Sequence, residues 1–452
     1  MASDYSNNYR HPADTNLKSL HKVMEYDAVG RPILRVNSGT GNTYNSTGNV
    51  NAGTDAFGRL RISQPFTLFD SSHRYRDNNL WNIHTAGDTA TSTFNANAGL
   101  IEMTVGDGGD TADEVIRETT KVFSYQPGKS LLIMNTFCMA PAKTGLRQRV
   151  GYYGTANGMY LELDGTTLQW VERSSVTGVA TESKITQGNW NVDPLDGTGA
   201  SGVTLDITKA QIQWMDVEWL GLGSSRMGFV INGQFVTCHV FHHANLIQNT
   251  YITTASLPLR YEIRQEGAGG DSTTSTIKQV CSTVISEGGY SLTGLQQAVT
   301  TPIATPYELT TADTYYPVAS IRLKASPDRL DAIVVLTALS FLSITNNSTV
   351  NWQLRASATT TGGSWVSAGS DSAVEYNMTG TSSSGGRILA SGWTQGSNQG
   401  ASAIDLLREA LFKFQLERNT FTNTGFEFNL VAASNLGNTD TYASLDWEEI
   451  SR

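Results

Sequence analysis

The sequence predicts an all-β protein, two β-sandwich domains preceded by an extended N-terminal arm, and three observations carry that expectation. Only 16% of the residues are charged, against roughly 25% in ordinary soluble domains, and Ser, Thr, Asn and Gly fill the difference. Apolar runs have the length of strands, about four to eight residues, and are punctuated by Gly, Pro and Asn. Helical periodicity is almost absent: only Ile404 to Ala410 suits helical turns, and it leads straight into a strand pattern. A chain of 452 residues also exceeds what one hydrophobic core organises, so two or three domains are expected.

Residues 1–65 are rich in Asn, Ser, Thr and Gly, with one short extended stretch, Pro32 to Val36. Such a segment buries too little apolar surface to offset its own ordering, so it reads either as an arm that lies on a neighbouring subunit or as a flexible tail. From residue 66 the texture changes. Leu100 to Val105, Val115 to Phe123 and Ser130 to Met139 are strand patterns, and Gln126-Pro127-Gly128-Lys129 is a turn directly before Leu131, Leu132, Ile133 and Met134, a strand expected to be buried on both faces.

Between residues 146 and 266 the pattern is clearest. Asn232-Gly233 separates the runs Met227 to Ile231 and Phe235 to Phe241, and both residues tolerate the positive φ of a two-residue hairpin. Asp164-Gly165 repeats the signal. Hairpins with alternating faces are what a two-sheet sandwich requires, so residues 66–290 are assigned to a first sandwich. Residues 267–316 are rich in Gly, Ser and Thr and contain Pro302 and Pro306; the linker is placed at 291–316. Val318 to Leu323, Ala332 to Thr337, Val350 to Ala356, Leu411 to Glu417 and Phe426 to Val431 then make a second sandwich over residues 317–452.

Composition narrows function. The formal net charge of −10 repels polyanions on average, and Arg59 with Arg61 or Arg147 with Arg149 are pairs rather than basic clusters, so no nucleic acid is expected as a partner. Cys138, Cys238 and Cys281 form no CxxC and no dense framework and read as reduced thiols. Met1 to Pro12 lacks the apolar core of a secretory leader, so synthesis in a cytoplasm is expected. Ala332 to Ile344 is interrupted by Thr337, Ser340 and Ser343 and is shorter than the roughly 18 residues of a membrane span, which excludes membrane insertion.

Four constellations were weighed for chemistry. On Met215-Asp216-Val217-Glu218-Trp219, alternation puts Asp216 and Glu218 on the face opposite Met215 and Val217. This resembles the catalytic strand of the laminarinase-like glycoside hydrolases, whose Glu, Asp, Glu series lies on the concave face of a lectin-like sandwich. Here the place of the first Glu, two residues before Asp216, holds Trp214, so the nucleophile of a retaining mechanism is missing. Catalytic residues are therefore none, and Trp214, Asp216 and Glu218 remain as possible glycan-facing residues, against the plainer reading of a solvated strand face. The resemblance, which extends to the legume-type lectins, implies a concanavalin-like jelly roll for the first sandwich. Trp170, Trp190, Trp214 and Trp219 suit sugar stacking but fill cores more often. His239 and His243 should point to one face and His242 to the other, so the three cannot converge on a metal. Asp107, Asp110, Asp113 and Glu114 fit no calcium loop, and no phosphate loop or nucleophile elbow occurs. No metal and no cofactor are expected.

The most distinctive motif is Asp55-Ala56-Phe57-Gly58-Arg59-Leu60-Arg61-Ile62-Ser63. Leu60 and Ile62 face one way and Arg59 and Arg61 the other, so the segment can bury an apolar edge while its guanidiniums pair with carboxylates. Phe57, Arg59, Leu60, Arg61 and Ile62 are the candidate docking residues; the alternative is an ordinary edge strand. Together with Pro65-Phe66-Thr67-Leu68-Phe69-Asp70, Ile231-Asn232-Gly233-Gln234, His239-Val240-Phe241-His242 and Leu445-Asp446-Trp447-Glu448-Glu449-Ile450, this motif resembles a family of virion structural proteins of tailed bacteriophages, particularly those of marine and cyanobacterial hosts. The resemblance implies a non-enzymatic particle component in the virion, present in many copies, with other capsid or tail proteins as partners. A homo-oligomer, by analogy a trimer, and a host surface glycan are further implied partners. Head, neck and tail attachment are all compatible with it. A glycan-binding fibre and, after it, a polysaccharide depolymerase are the competing readings.

Overall fold

The computed structural model describes residues 24–26, 32–34, 64–106, 113–265, 273–291, 293–396, 403–404 and 414–451. The chain divides into two compact units, Met1–Ile62 and Ser63–Arg452. In the first, Met24–Tyr26 pairs antiparallel with Pro32–Leu34. The docking residues Phe57, Arg59, Leu60, Arg61 and Ile62 lie outside the described residues, as do Asp107, Asp110 and the stretch Asp405 to Ala410.

The second unit is all-β, and its strands make two β-sandwiches with separate cores. In the first sandwich a seven-stranded antiparallel sheet runs Thr181–Thr186, Thr167–Ser174, Gly158–Asp164, Leu146–Tyr153, Leu259–Gln265, Glu114–Thr119, Trp81–Ala86. It packs on an eight-stranded sheet in the order Gln234–Phe241, Ser225–Ile231, Gln211–Val217, Leu131–Cys138, Ser275–Ser286, Leu100–Val105, Thr91–Asn95, with Phe66–Ser72 also paired to Ser275–Ser286. Inward side chains at alternate positions, among them Ile133, Phe137, Met215, Val217, Phe229, Val150, Leu161 and Trp170, are buried between the sheets.

Local sequence explains the connections. Ile231 pairs with Gln234 across Asn232 and Gly233, whose φ values of 52° and 75° are those of a tight hairpin. Asp164 pairs with Thr167, so the earlier hairpin turns on Gly165 and Thr166, with φ 59° at the glycine. Leu131–Cys138 alternates buried and half-buried residues rather than burying both faces, because the outer face of its sheet stays partly open.

Ser275–Ser286, from the Gly, Ser and Thr rich stretch, lies inside the eight-stranded sheet and hydrogen-bonds three strands. Four of its six buried residues, Ser275, Gln279, Ser282 and Ser286, are polar: Arg117 Nε donates to Gln279 Oε1 at 2.7 Å and the Tyr261 and Ser282 hydroxyls lie 3.0 Å apart, while Gln279 Nε2 is buried without a hydrogen-bond partner.

The second sandwich packs a six-stranded sheet (Val366–Ser367, Val374–Asn377, Tyr316–Leu323, Glu427–Ser434, Thr349–Thr361, Ser382–Gln395) on a five-stranded one. In the latter, Thr439–Ser451 pairs with Ile333–Ser343, Leu295–Thr300 and Tyr307–Leu309. Two strands thus fall within residues 291–316. Trp352, Leu354, Leu430, Leu445 and Trp447 fill this core.

The expected strand at Leu411 to Glu417 is not one in its described part. Gln415 makes an isolated bridge with Val335, and the residues that follow reach across to the first sandwich. Gln415 Nε2 donates to the Val122 carbonyl at 3.1 Å, the Arg418 amide donates to the Thr120 carbonyl at 2.9 Å, and Asn82 Nδ2 donates to the Arg418 carbonyl at 2.8 Å. The Arg418 guanidinium, 1% exposed, sits 2.9 Å from Glu118 and 3.1 Å from Asp331, and it also donates to the Thr119 carbonyl. Thr420 donates to the same Glu118 at 2.8 Å, so one buried carboxylate ties the two sandwiches together. Among the described residues no helix is long and apolar enough to cross a membrane.

Candidate functional site

Strand Gln211–Val217 places Trp214 and Asp216 on the outer face of the eight-stranded sheet, while Gln213, Met215 and Val217 point into the core. Glu218 follows the strand and is exposed. The three residues share a neighbourhood but not an environment. Trp214 lies across Gly228, its cross-strand partner, where an added Cβ would run into the indole and the Val236 carbonyl. Phe235 packs on the Trp214 ring edge to face at 5.5 Å. The indole is 5% exposed, whereas Phe235 is 55% exposed, so Phe235 presents the open aromatic surface of this face.

Asp216 is buried and ion-paired with Arg226 on the adjacent strand, while its other oxygen is buried without a hydrogen-bond partner. Burial pushes its carboxyl above the ordinary range, and Arg226 only partly opposes the shift. Glu218 accepts from the Ser224 amide at 3.3 Å, closing the loop after the strand. Trp214 fills the position where the hydrolase strand carries its first carboxylate.

Of the three histidines only His239 lies on the strand Gln234–Phe241; His242 and His243 follow its end, so strand alternation does not govern them. His239, buried on the strand, has burial and His242 holding its pKa down to about 4, and Nδ1 accepts from the Asn191 amide at 3.3 Å. His242 sits 3.2 Å from the Ser224 hydroxyl. His243 stacks on Tyr251 at 3.9 Å and contacts Glu172 at 2.9 Å and the Gly223 carbonyl at 2.5 Å. Burial lowers its pKa, but the Glu172 carboxylate outweighs that and raises it overall. Among the described residues no three His, Cys, Asp or Glu side chains are grouped to hold a metal.

The densest ionic arrangement, on the outer face of the seven-stranded sheet, was missed by sequence reasoning beyond the pairing role given to Arg147 and Arg149. Three adjacent strands set Glu162, Arg149 and Glu262 directly opposite one another. Arg149 lies 2.7 Å from Glu162 and 3.3 Å from Glu262, Lys184 lies 2.8 Å from Glu162, and Arg260 joins Glu262 to Glu118. A glycosidase needs its paired carboxyls on either side of a sugar, whereas Glu162 and Glu262 are held against the single guanidinium between them. Their ionisation does not suit a glycosidase either. Burial raises both pKa values, but Arg149 and Lys184 for Glu162, and Arg260, Arg149 and Arg147 for Glu262, hold the carboxyls below the ordinary range. Neither is a proton donor near neutral pH. The sequence signal was the charged residues spaced two apart, Arg260, Glu262 and Arg264, which only strand register connects to Arg149 and Glu162.

No protein-family model and no curated protein matches the chain. Solved structures align with about half of the chain. A protein of unknown function from Shewanella oneidensis aligns over 52% of this chain and 91% of its own at 9% identity, TM-score 0.33. A family 16 glycosyl hydrolase from Mycobacterium smegmatis aligns over 48% and 100% at 11% identity, TM-score 0.32. A Bacteroides ovatus family 16 enzyme from a mixed-linkage glucan locus aligns over 48% and 99% at 10% identity, TM-score 0.33.

Proposed function

We propose that this chain is a non-catalytic structural component of the surface of a tailed-phage virion, a head- or tail-attached decoration, adaptor or fibre anchored by its N-terminal arm. The observation that carries the non-catalytic reading is the state of the carboxylates. Asp216 is closed by Arg226 beside Trp214, and Glu162 and Glu262 are held ionised by the cations between and around them. The joint through Arg418 and Glu118 supports a structural role, because it fastens two sandwiches into one body. The virion setting rests on the motif resemblance, with Phe57, Arg59, Leu60, Arg61 and Ile62 as the docking residues and copies of the chain, grouped as trimers, and other virion proteins as partners. Deletion of residues 1–62 tests it: the truncated chain should fold and be absent from purified particles, and incorporation at the full-length level would contradict the anchor.

A second reading, a glycan-binding fibre, is favoured by one observation, the exposed Phe235 ring backed by Trp214. Under it Phe235→Ala abolishes retention on host surface polysaccharide; unchanged retention would exclude this face.

A further inference from the structure

Of nine tryptophans in the chain, Trp393 alone is exposed, at 71%. It lies on Ser382–Gln395, the edge strand of the six-stranded sheet, directly opposite Asn351. Gly392 beside it packs so closely on the buried Trp352 that a Cβ there would meet the indole, which fixes the strand and turns Trp393 outward. An isolated Trp face this open is unusual, since burying it stabilises a fold more than burying almost any other side chain.

The adjacent face is polar and locked. Along Thr349–Thr361, the outward residues Asn351, Gln353 and Arg355 form a row about 13 Å long at ~3.3 Å per residue. Tyr315 lies over the row: its hydroxyl donates to Asn351 Oδ1 at 2.6 Å and accepts from Gln353 Nε2 at 2.8 Å. Arg355 donates from Nε and Nη2 to Gln353 Oε1 at 2.9 and 2.7 Å, and its guanidinium stacks on the Tyr315 ring at 4.7 Å. These bonds hold Arg355 in one orientation and leave Nη1 unused.

The charge of this ledge is opposite to that of the whole chain. Strands Thr349–Thr361 and Ser382–Gln395 carry no Asp or Glu; Arg355 lies on the outward face, and Arg387, opposite the buried Ala356, lies on the other. Among the described residues neither arginine pairs with a carboxylate, although the chain carries a net −10. An oriented, unpaired guanidinium matches a carboxylate ligand, and an exposed indole matches the apolar face of a sugar ring. One cation is too few for the phosphate neutralisation that nucleic-acid binding needs.

We infer that the ledge formed by Trp393, Asn351, Gln353, Arg355 and Tyr315 is a binding site for an acidic oligosaccharide, with a pyranose stacked on Trp393 and a sugar carboxylate on Arg355. The site lies on the second sandwich and is independent of both readings above.

The test is binding of the full chain to an array of galacturonate, glucuronate, mannuronate and sialic-acid oligosaccharides beside neutral counterparts, with affinities then measured by calorimetry. At least one acidic ligand should bind at least tenfold more tightly than its neutral counterpart, and the preference should shrink with added salt. Trp393→Ala should weaken binding at least tenfold and Arg355→Gln should remove the acidic preference, both with unchanged thermal unfolding, while Phe235→Ala should bind normally. Absence of acidic-sugar binding, equal affinity for neutral sugars, or full binding by Trp393→Ala would overturn the assignment. So would a Trp393-dependent dimer in light scattering, which would make the edge a contact between copies.

Discussion

Replacing Arg418 by alanine should destabilise the protein by about 3 kcal/mol, the low end of the 3–5 kcal/mol that follows removal of one partner from a buried ion pair. Arg418 and Glu118 are 1% and 2% exposed, so the substitution leaves Glu118 buried. The loss is moderated because Glu118 keeps Arg260 at 3.3 Å and Thr420 at 2.8 Å. Asp331, 61% exposed, contributes little. Urea titration followed by tryptophan fluorescence reads the change, since Trp81 and Trp170 report the first core and Trp352 and Trp447 the second. The paired variant Glu118→Gln with Arg418→Met removes both charges and should recover most of the loss. A loss below about 1 kcal/mol for Arg418→Ala, the range of surface pairs, or a double variant as unstable as the single, would refute a buried electrostatic joint.

Other outcomes follow from the same geometry. Burial holds His73, with help from Arg117, and His239, with help from His242, at a pKa of about 4 against 6.5 unperturbed. The unfolded chain therefore binds these protons first: the stability they contribute is complete above pH 6.5 and is lost as pH falls toward 4, by up to about 1.4 kcal/mol per pH unit for each proton. His243 has the opposite sign, its contribution present at low pH and lost as pH rises through its raised pKa. Melting temperatures of His73→Gln and His239→Gln should thus depend less on pH between 4 and 6.5 than the parent, and parallel curves would contradict this. Gly228→Ala should cost about 1–3 kcal/mol by overpacking against Trp214, with a changed near-ultraviolet tryptophan spectrum; an unaltered spectrum at unaltered stability would argue against the Trp214 placement. The intact protein should release no reducing ends from laminarin or mixed-linkage glucan, and release abolished by Glu218→Gln would restore the depolymerase reading.

The sequence carried the sandwich architecture where local rules suffice. Asn232-Gly233 announces its hairpin because only a few residues tolerate those φ angles, and the strands between Leu146 and Phe241 are readable because most of their inward residues are apolar. Ser275–Ser286 was hidden for the converse reason: its inward residues include Gln279, Ser282 and Ser286, and Gln279 and Ser282 meet Arg117 and Tyr261, which are distant in sequence. The row Glu162, Arg149, Glu262 needs the register of three strands, and the joint at Arg418 needs a partner 300 residues away. Neither leaves a local signature. Trp214 was legible as a departure from the hydrolase pattern, but its burial depends on the absence of a side chain at Gly228 and on Phe235 above it. Trp393 drew no notice, because a sequence does not distinguish a core tryptophan from an exposed one.

The proposed role requires this chain to be a built-in part of a particle. A density map of the intact virion, with peptide mass spectrometry of the same preparation, tests that directly. The expected result is this chain in fixed stoichiometry on the particle exterior, with residues 1–62 against another virion protein. Its absence from purified particles would contradict the account.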